Sequence, residues 1–447
     1  VLKNNKGTED NRVRKLDYSI QISKLFYERF IKDEDITLFS PHDVPGLYEA
    51  FGMPEFDEMY EKYERKTSIN KTKIKAQLLF MDLLKERAET GRIYIMNIDH
   101  CNTHSSFKDK IYMSNLCQEI TLPTTPIKHI DDAEGEIALC ILSAVNLGLI
   151  RDKTDLEELC DLSVRALDEI IDHQDYPVKA AEISTRRRRS LGIGYIGLAH
   201  YLARKGVKYD DKRACEEVNK LTEAFQYFLL ESSNNLAKEK GKCEYFERTK
   251  YSDGILPIDT YKKDVDKIVN KKLRYDWEDL RKRIKEDGLR HSTLSAQMPS
   301  ESSSVVSNET NGVEPPRDYL SVKKSKKGPL KQIVPDYRKL KKNYTLLWDM
   351  KNNDGYIKII AIMQKYFDQG ISGNWSYNPE HYEDNQVPVS EMTKDLLNTY
   401  KYGWKTSYYH NTYDGKSEEE PQHNIGVYDN VPETKKKDDE DCEACAI

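Results

Sequence analysis

The stretch Gly91-Arg92-Ile93-Tyr94-Ile95-Met96-Asn97-Ile98-Asp99 constrains the fold most, because apolar side chains occupy its odd and even positions alike. A strand with one face in water alternates. One that is apolar on both faces has to be covered on both, as in a parallel sheet or a barrel wrapped by helices. The helices are legible elsewhere in the chain. Leu156, Leu159, Cys160, Val164, Leu167, Ile170 and Ile171 keep helical spacing, with Thr154 and Glu157 reading as a capping box ahead of them, so Cys160 is expected in the core. A longer helix carries Val218, Leu221, Phe225, Phe228, Ser232 and Leu236 on one stripe. Tyr18, Ile22, Leu25, Phe26 and Phe30 predict an amphipathic helix over 17–30, and two prolines and a glycine in 37–47 predict a strand end running into a loop. Between 250 and 289 the pattern predicts charged helices facing solvent. The fold class read from this is α/β.

Composition narrows what such a chain does. Its 447 residues suffice for a large core and for about three domains. One third of them are charged, the net charge is only -6, and no apolar run reaches the ~18 residues of a membrane span. With no signal peptide at its start, the chain is expected to be soluble and cytoplasmic. The eight cysteines (Cys101, Cys117, Cys140, Cys160, Cys215, Cys243, Cys442 and Cys445) are spread thinly, which predicts reduced thiols and makes any pairing catalytic. Lys323, Lys324, Lys326 and Lys327 form a basic patch at a Gly328-Pro329 turn, but the acidic balance and the lack of a binding-module signature argue against a nucleic-acid partner. Gly192-Ile193-Gly194-Tyr195-Ile196-Gly197 spells a dinucleotide fingerprint. It follows Thr185-Arg186-Arg187-Arg188-Arg189-Ser190 rather than a buried strand, so its glycines are assigned to close backbone packing and the arginines to a solvated face.

The chemistry gathers in a few short segments. In Ser114-Asn115-Leu116-Cys117-Gln118-Glu119-Ile120, an extended backbone turns Asn115, Cys117 and Glu119 to one face, lining up an amide, a thiol and a carboxylate within roughly 7 Å of the sulfur. That set suits a site working on a polyhydroxyl substrate, and the same letters also fit an ordinary half-buried strand with a core cysteine. Met298-Pro299-Ser300-Glu301-Ser302-Ser303-Ser304 packs hydroxyls behind a proline, as in a phosphate cradle or simply a loop. Tyr408 and Tyr409 read by themselves as large side chains packing near a strand end. The last segment, Cys442-Glu443-Ala444-Cys445, follows an acidic stretch that begins near Lys416. It lacks the further ligands zinc needs, so a redox dithiol fits it better and no metal is expected.

Taken with Gly135-Glu136-Ile137-Ala138-Leu139-Cys140, the Asn-Leu-Cys-x-Glu-Ile motif resembles the large subunit of class I ribonucleotide reductase. The resemblance runs from Asn5-Lys6-Gly7 to the last cysteines and also covers 309–317. It implies the family's ten-stranded α/β barrel with the Cys117 loop inside. In this chain the barrel is expected to be incomplete, because the family's first strands and regulatory nucleotide-binding region lie upstream of Val1. Residues 1–250 are then part of the barrel, 251–415 a C-terminal α/β region, and 416–447 a flexible redox tail. The implied activity is reduction of ribonucleoside diphosphates to 2′-deoxyribonucleoside diphosphates for DNA precursor synthesis.

The roles implied by the resemblance are specific. Cys117 becomes a thiyl radical and takes hydrogen from C3′, Glu119 accepts the 3′-hydroxyl proton, and Asn115 holds the hydroxyls, with Leu116 also against the substrate. Cys140 supplies reducing equivalents together with a cysteine from the upstream part. Pro299, Ser300, Glu301, Ser302 and Ser303 hold the diphosphate. Tyr408 and Tyr409 relay the radical from a small (beta) subunit bearing a tyrosyl radical and a di-iron or related metal site. Cys442 and Cys445, spaced more closely than the family's pair, re-reduce the active site at the expense of thioredoxin or glutaredoxin. No cofactor is expected on this chain itself, and its protein partners are an N-terminal large-subunit chain and the small subunit. The rival reading is a non-catalytic assembly partner of the small subunit.

Overall fold

The computed structural model describes residues 17–325 and 328–415. The strand apolar on both faces is present as Tyr94–Asn97, buried at all four positions. It is the middle of a three-stranded sheet, parallel to Ser19–Ile22 and antiparallel to Thr406–Ser407. The helix expected over 17–30 is therefore shorter: Ser19–Ile22 is a strand, and the helix is Lys24–Ile31. Pairing of Ile20 with Ile95 and Ile22 with Asn97 outweighs the local helical spacing, the common way in which tertiary context overrides propensity.

A second group of extended segments carries the site. Ile141–Asn146 runs parallel to Leu191–Ile196, which is buried at all six positions. Beyond it, the Leu191 and Ile193 amides donate to the Thr293 and Leu294 carbonyls, Gln297 bridges to Ile371, and the Gly370 amide donates to the Glu119 carbonyl at 2.7 Å. The Thr406 hydroxyl then donates to the Ile371 carbonyl, joining this group to the first sheet. The α/β class holds. Among the described residues the segments do not close into a barrel, and the paired elements are sheets of two or three strands.

The glycines of 192–197 do the packing expected of them, although they lie inside and at the end of a buried strand. A Cβ on Gly192 would come 2.6 Å from the Leu142 side chain and 2.9 Å from the Cys140 sulfur, and one on Gly194 2.7 Å from the Ala296 carbonyl. Helices Lys153–His173 and Lys212–Lys240 cover this layer, and one apolar core runs from Ile22 to Trp404. Cys160 is fully buried, but the stripe around it is narrower than its spacing predicted, since Leu159 and Ile170 are exposed. The N-cap is Asp152, which accepts from the Thr154 and Asp155 amides, in place of the Thr154 and Glu157 box. Between 250 and 289, the helix Trp277–Asp287 faces solvent except at Trp277, Leu280 and Ile284. Residues 250–269 consist instead of short helical turns that bury Tyr251, Leu256, Val265 and Val269 in the core, so the expected solvent-facing helices are confined to the second half.

The arginine run is not a solvated face throughout. Arg188 and Arg189 are buried, the first paired with Glu136 at 2.5 Å and Asp109 at 2.9 Å, the second with Asp168 and Asp172. Their carboxylate partners come from distant parts of the chain, which spacing within the run does not reveal. Asp168 also meets Arg290, Lys240 and His291. Burial pushes its carboxyl up, but His291, Arg189 and Arg290 prevail and hold it well below the usual carboxylate range. Asp168→Ala leaves Arg189 and Arg290 with only Asp172 to share and His291 without its carboxylate, and is expected to cost ~3 kcal/mol. Because the folded pKa is depressed, Asp168's contribution is complete above the unfolded value of about 3.9 and is lost as pH falls from there through the folded pKa. Urea unfolding across pH checks this: the parent should lose stability toward low pH more steeply than Asp168→Asn, and parallel curves would contradict the assignment.

Candidate active site

Asn115, Cys117 and Glu119 do not share a strand face. The segment is a tight turn: the Gln118 amide donates to the Asn115 carbonyl at 3.2 Å, and the Asn115 amide donates to the Ile120 carbonyl at 3.1 Å. The Asn115 Oδ1 accepts from the Ile120 amide at 3.0 Å. Gln118 adopts the left-handed region, φ 72°. An asparagine side chain that caps its own loop stabilises such a turn at the expense of a strand. Cys117 is thereby presented at the tip, Glu119 is folded inward and buried, and Leu116 is exposed.

The turn rests on a segment that sequence reading did not single out, 369–373. The Ser372 hydroxyl donates to the Cys117 carbonyl at 2.5 Å and to the Glu119 Oε2 at 3.1 Å. A Cβ at Gly370 would lie 2.6 Å from the Gln118 carbonyl, so only glycine lets the two backbones approach. Gln369 reaches the other way: its Nε2 donates to the Cys140 sulfur at 3.5 Å and to the Leu191 carbonyl at 3.0 Å, while its Oε1 accepts from the Thr121 amide. Beneath it, the buried Lys405 ammonium donates to the carbonyls of Phe367, Asp368 and Gln369. The available signal was Asp368-Gln369-Gly370-Ile371-Ser372-Gly373 itself, where two glycines and polar side chains interrupt an apolar stretch and allow another backbone to approach closely.

Environment tunes these groups. Burial pushes the Glu119 carboxyl up, opposed by its own amide and by hydrogen bonds from Asn115 and Ser372. A carboxylate with a raised pKa is a better base, and its partners keep it aimed. Burial pushes the Cys140 thiol up to about 12, although Gln369 bonds to it, so this sulfur is a protonated thiol at neutral pH.

The tyrosine pair reaches the same turn. The Tyr408 hydroxyl donates to the Cys117 sulfur at 3.5 Å. The Tyr408 and Tyr409 ring centres are 4.1 Å apart, and Tyr94 from the buried strand touches both, at 4.6 and 5.4 Å. Burial, then the bond to Cys117, raises the Tyr408 pKa well above the ordinary phenol value, so the ring stays protonated. Both tyrosines are pinned to the 369–375 segment: the Tyr408 amide donates to the Gly373 carbonyl at 2.7 Å and the Tyr409 amide to the Asn374 Oδ1 at 2.9 Å.

The serine loop attaches through Gln297, whose amide donates to the Gly370 carbonyl and whose carbonyl accepts from the Ser372 amide. Pro299 is exposed and Ser300 is buried, its hydroxyl donating to the Met298 carbonyl. The short helix Glu301–Val306 starts there, with Glu301 half-buried and Ser302 and Ser303 exposed. Cys442 and Cys445 lie outside the described residues. Among the described residues no group of three or more His, Cys, Asp or Glu side chains could hold a metal ion, and no helix is long and apolar enough to cross a membrane.

The ribonucleotide reductase barrel-domain family matches residues 1–410. Ribonucleoside-diphosphate reductase subunit alpha of Haemophilus influenzae is 58% identical over 420 residues, 93% of this chain and 56% of that protein. Subunit alpha of reductase 1 of Escherichia coli is 54% identical over 93% of this chain and 55% of its own length. Subunit alpha of Enterobacteria phage T4 is 44% identical over all of this chain and 58% of its own. The chain thus spans a little over half the length of these relatives, and it belongs to the ribonucleotide reductase large-subunit family.

Proposed function

We propose that this chain is the catalytic portion of a cytoplasmic class I ribonucleoside-diphosphate reductase large subunit, with the Cys117 turn as the radical site. The observation that carries the reading is the contact of the Tyr408 hydroxyl with the Cys117 sulfur, beside the buried Glu119 carboxylate. A phenol loses an electron and a proton together when a partner is in place, and here the partner is the sulfur that needs to become a radical. Tyr409 and Tyr408 pass the oxidation inward from a small subunit whose radical and metal site lie outside this chain.

The chemistry balances on this chain's groups and one further cysteine. The Cys117 thiyl takes the hydrogen atom from C3′ of the ribose, and Glu119 takes the 3′-hydroxyl proton. The 2′-hydroxyl then leaves as water, carrying a proton from a thiol. Cys140 and a second cysteine supply two electrons and become a disulfide, their second hydrogen going to C2′ in place of the lost hydroxyl, while Glu119 returns its proton to the 3′-oxygen and Cys117 returns its hydrogen atom to C3′. Asn115 and Leu116 contact the ribose, and Pro299, Ser300, Glu301, Ser302 and Ser303 form the diphosphate loop. The diphosphate loop joins the site through Gln297. Cys442 and Cys445 then reduce the new disulfide, re-reduced in turn by thioredoxin or glutaredoxin.

The second cysteine comes from an N-terminal large-subunit chain that completes the ten-stranded barrel. In support of this, Ile141–Asn146 pairs on one side only among the described residues, and Leu139 and Leu142 beside Cys140 are exposed. A strand edge and apolar side chains of that kind call for a covering partner. The test is co-expression: deoxynucleoside diphosphate should form only when this chain is assembled with an upstream fragment carrying that cysteine and with the small subunit. A soluble, active reductase made from this chain and the small subunit alone would contradict the requirement.

A further inference from the structure

We infer that Arg87 is a positioning residue for the radical relay, a single guanidinium that sets the backbone under all three phenols; this rests on the relay reading of Tyr408 and Tyr409. Arg87 lies on the helix Ala76–Thr90 and is fully buried. Its Nη1 donates to the carbonyls of Ile93 and Tyr408, both at 2.7 Å, and its Nη2 to the carbonyl of Tyr409 at 3.0 Å. The third acceptor matters as much as the other two. Ile93 is a β-branched residue at φ 62°, a conformation that persists only when its surroundings enforce it. The next residue is Tyr94, whose ring contacts both Tyr408 and Tyr409.

Among the described residues the charge has no anionic counterpart. Among the described residues no carboxylate pairs with Arg87; the guanidinium lies over the Trp375 ring at 4.7 Å, and its Nε is a buried donor without a partner. Burying an unpaired cation is costly, and an apolar residue would fill a helix-to-sheet contact at less expense. What a neutral or point-charge side chain cannot reproduce is the planar fork that reaches three carbonyls of two distant segments at once. Trp375 reinforces the same clamp, its amide donating to the Tyr409 carbonyl at 2.9 Å. Hydrogen and electron transfer between phenols depends on ring placement. A misplacement of about 1 Å costs ~100-fold in rate, and losing the fork frees the backbone of the pair by that order.

The test uses the complete assembly of this chain, the upstream fragment and the small subunit, with Arg87→Lys and Arg87→Gln compared with the parent and with Tyr408→Phe. The expected result for Arg87→Gln is a kcat lower by ~100-fold with the nucleoside diphosphate KM and dissociation constant unchanged, since the fork touches no substrate residue. Arg87→Lys keeps the charge and is expected to fold, yet to recover only part of kcat. A folded Arg87→Gln with kcat within about threefold of the parent, or one that loses substrate affinity in step with kcat, would overturn the inference. So would failure of both variants to fold, which would assign Arg87 to stability alone. If Tyr408→Phe is inactive while Arg87→Gln is active, only the Arg87 assignment falls. An active Tyr408→Phe would remove the relay reading and this inference with it.

Discussion

Tyr408→Phe is expected to lower nucleotide reduction by orders of magnitude while moving the melting temperature by only a few degrees. The substitution deletes one oxygen and keeps the ring, so the contacts with Tyr409 and Tyr94 remain. A single hydroxyl bond to a neighbouring sulfur is worth about 1 kcal/mol, which is the source of the small thermal shift. The loss in rate has a different origin. Phenylalanine has no O–H to give up and is far harder to oxidise, so nothing remains to exchange a hydrogen with the Cys117 sulfur across the 3.5 Å contact. Tyr409→Phe should behave alike, one step farther out. Activity assays of the two variants beside thermal melts separate the relay from simple aromatic packing: folded Phe variants that still turn over would leave the pair as core residues.

Cys117→Ser is expected to abolish turnover with folding and nucleoside diphosphate binding nearly intact. The turn that presents residue 117 is held by Asn115, Ile120 and the Ser372 hydroxyl, none of which needs the sulfur. The change in volume is small. What changes is the bond that has to break: an S–H bond matches the strength of the ribose C3′–H bond closely enough for reversible hydrogen exchange, whereas an O–H bond is so much stronger that a phenoxyl radical cannot generate the oxygen radical. Binding isotherms that match the parent, together with an absence of product, would assign the residue to chemistry rather than structure.

Much of the site was legible from chemical letters and little of its geometry was. Asn115, Cys117 and Glu119 stood out at alternate positions, but their spacing implied a shared strand face, whereas the Asn115 side chain and the left-handed Gln118 wrap the segment into a turn. The buried strand Tyr94–Asn97 was plain from its unbroken apolar run, while Ser19–Ile22 read as helix because the partner that makes it a strand is seventy-five residues away, as in the pairing of Ile20 with Ile95. The supports were hidden for the same reason. Gln369, Gly370 and Ser372 act through contacts with residues some 180 to 255 positions distant, and Arg87 reaches across 321 positions from an ordinary-looking helix. Arg188 and Arg189 looked like surface charge because their carboxylates lie elsewhere in the sequence. Local pattern reports local structure and residue chemistry, and long-range polar contacts leave no periodicity to read.

The central claim is that the Cys117 sulfur carries out hydrogen abstraction while Cys140 supplies reducing equivalents. It is tested most directly by single-turnover product counting with external reductant withheld, in a full assembly whose Cys442 and Cys445 are both replaced by serine so that the tail cannot re-reduce Cys140. The expected result is deoxynucleoside diphosphate in an amount matched by the loss of two thiols, with Cys140 found in a disulfide by mass spectrometry, and no product from Cys117→Ser. Deoxynucleotide formed by the Cys117→Ser assembly, or product formed while the Cys140 thiol stays reduced, would contradict it.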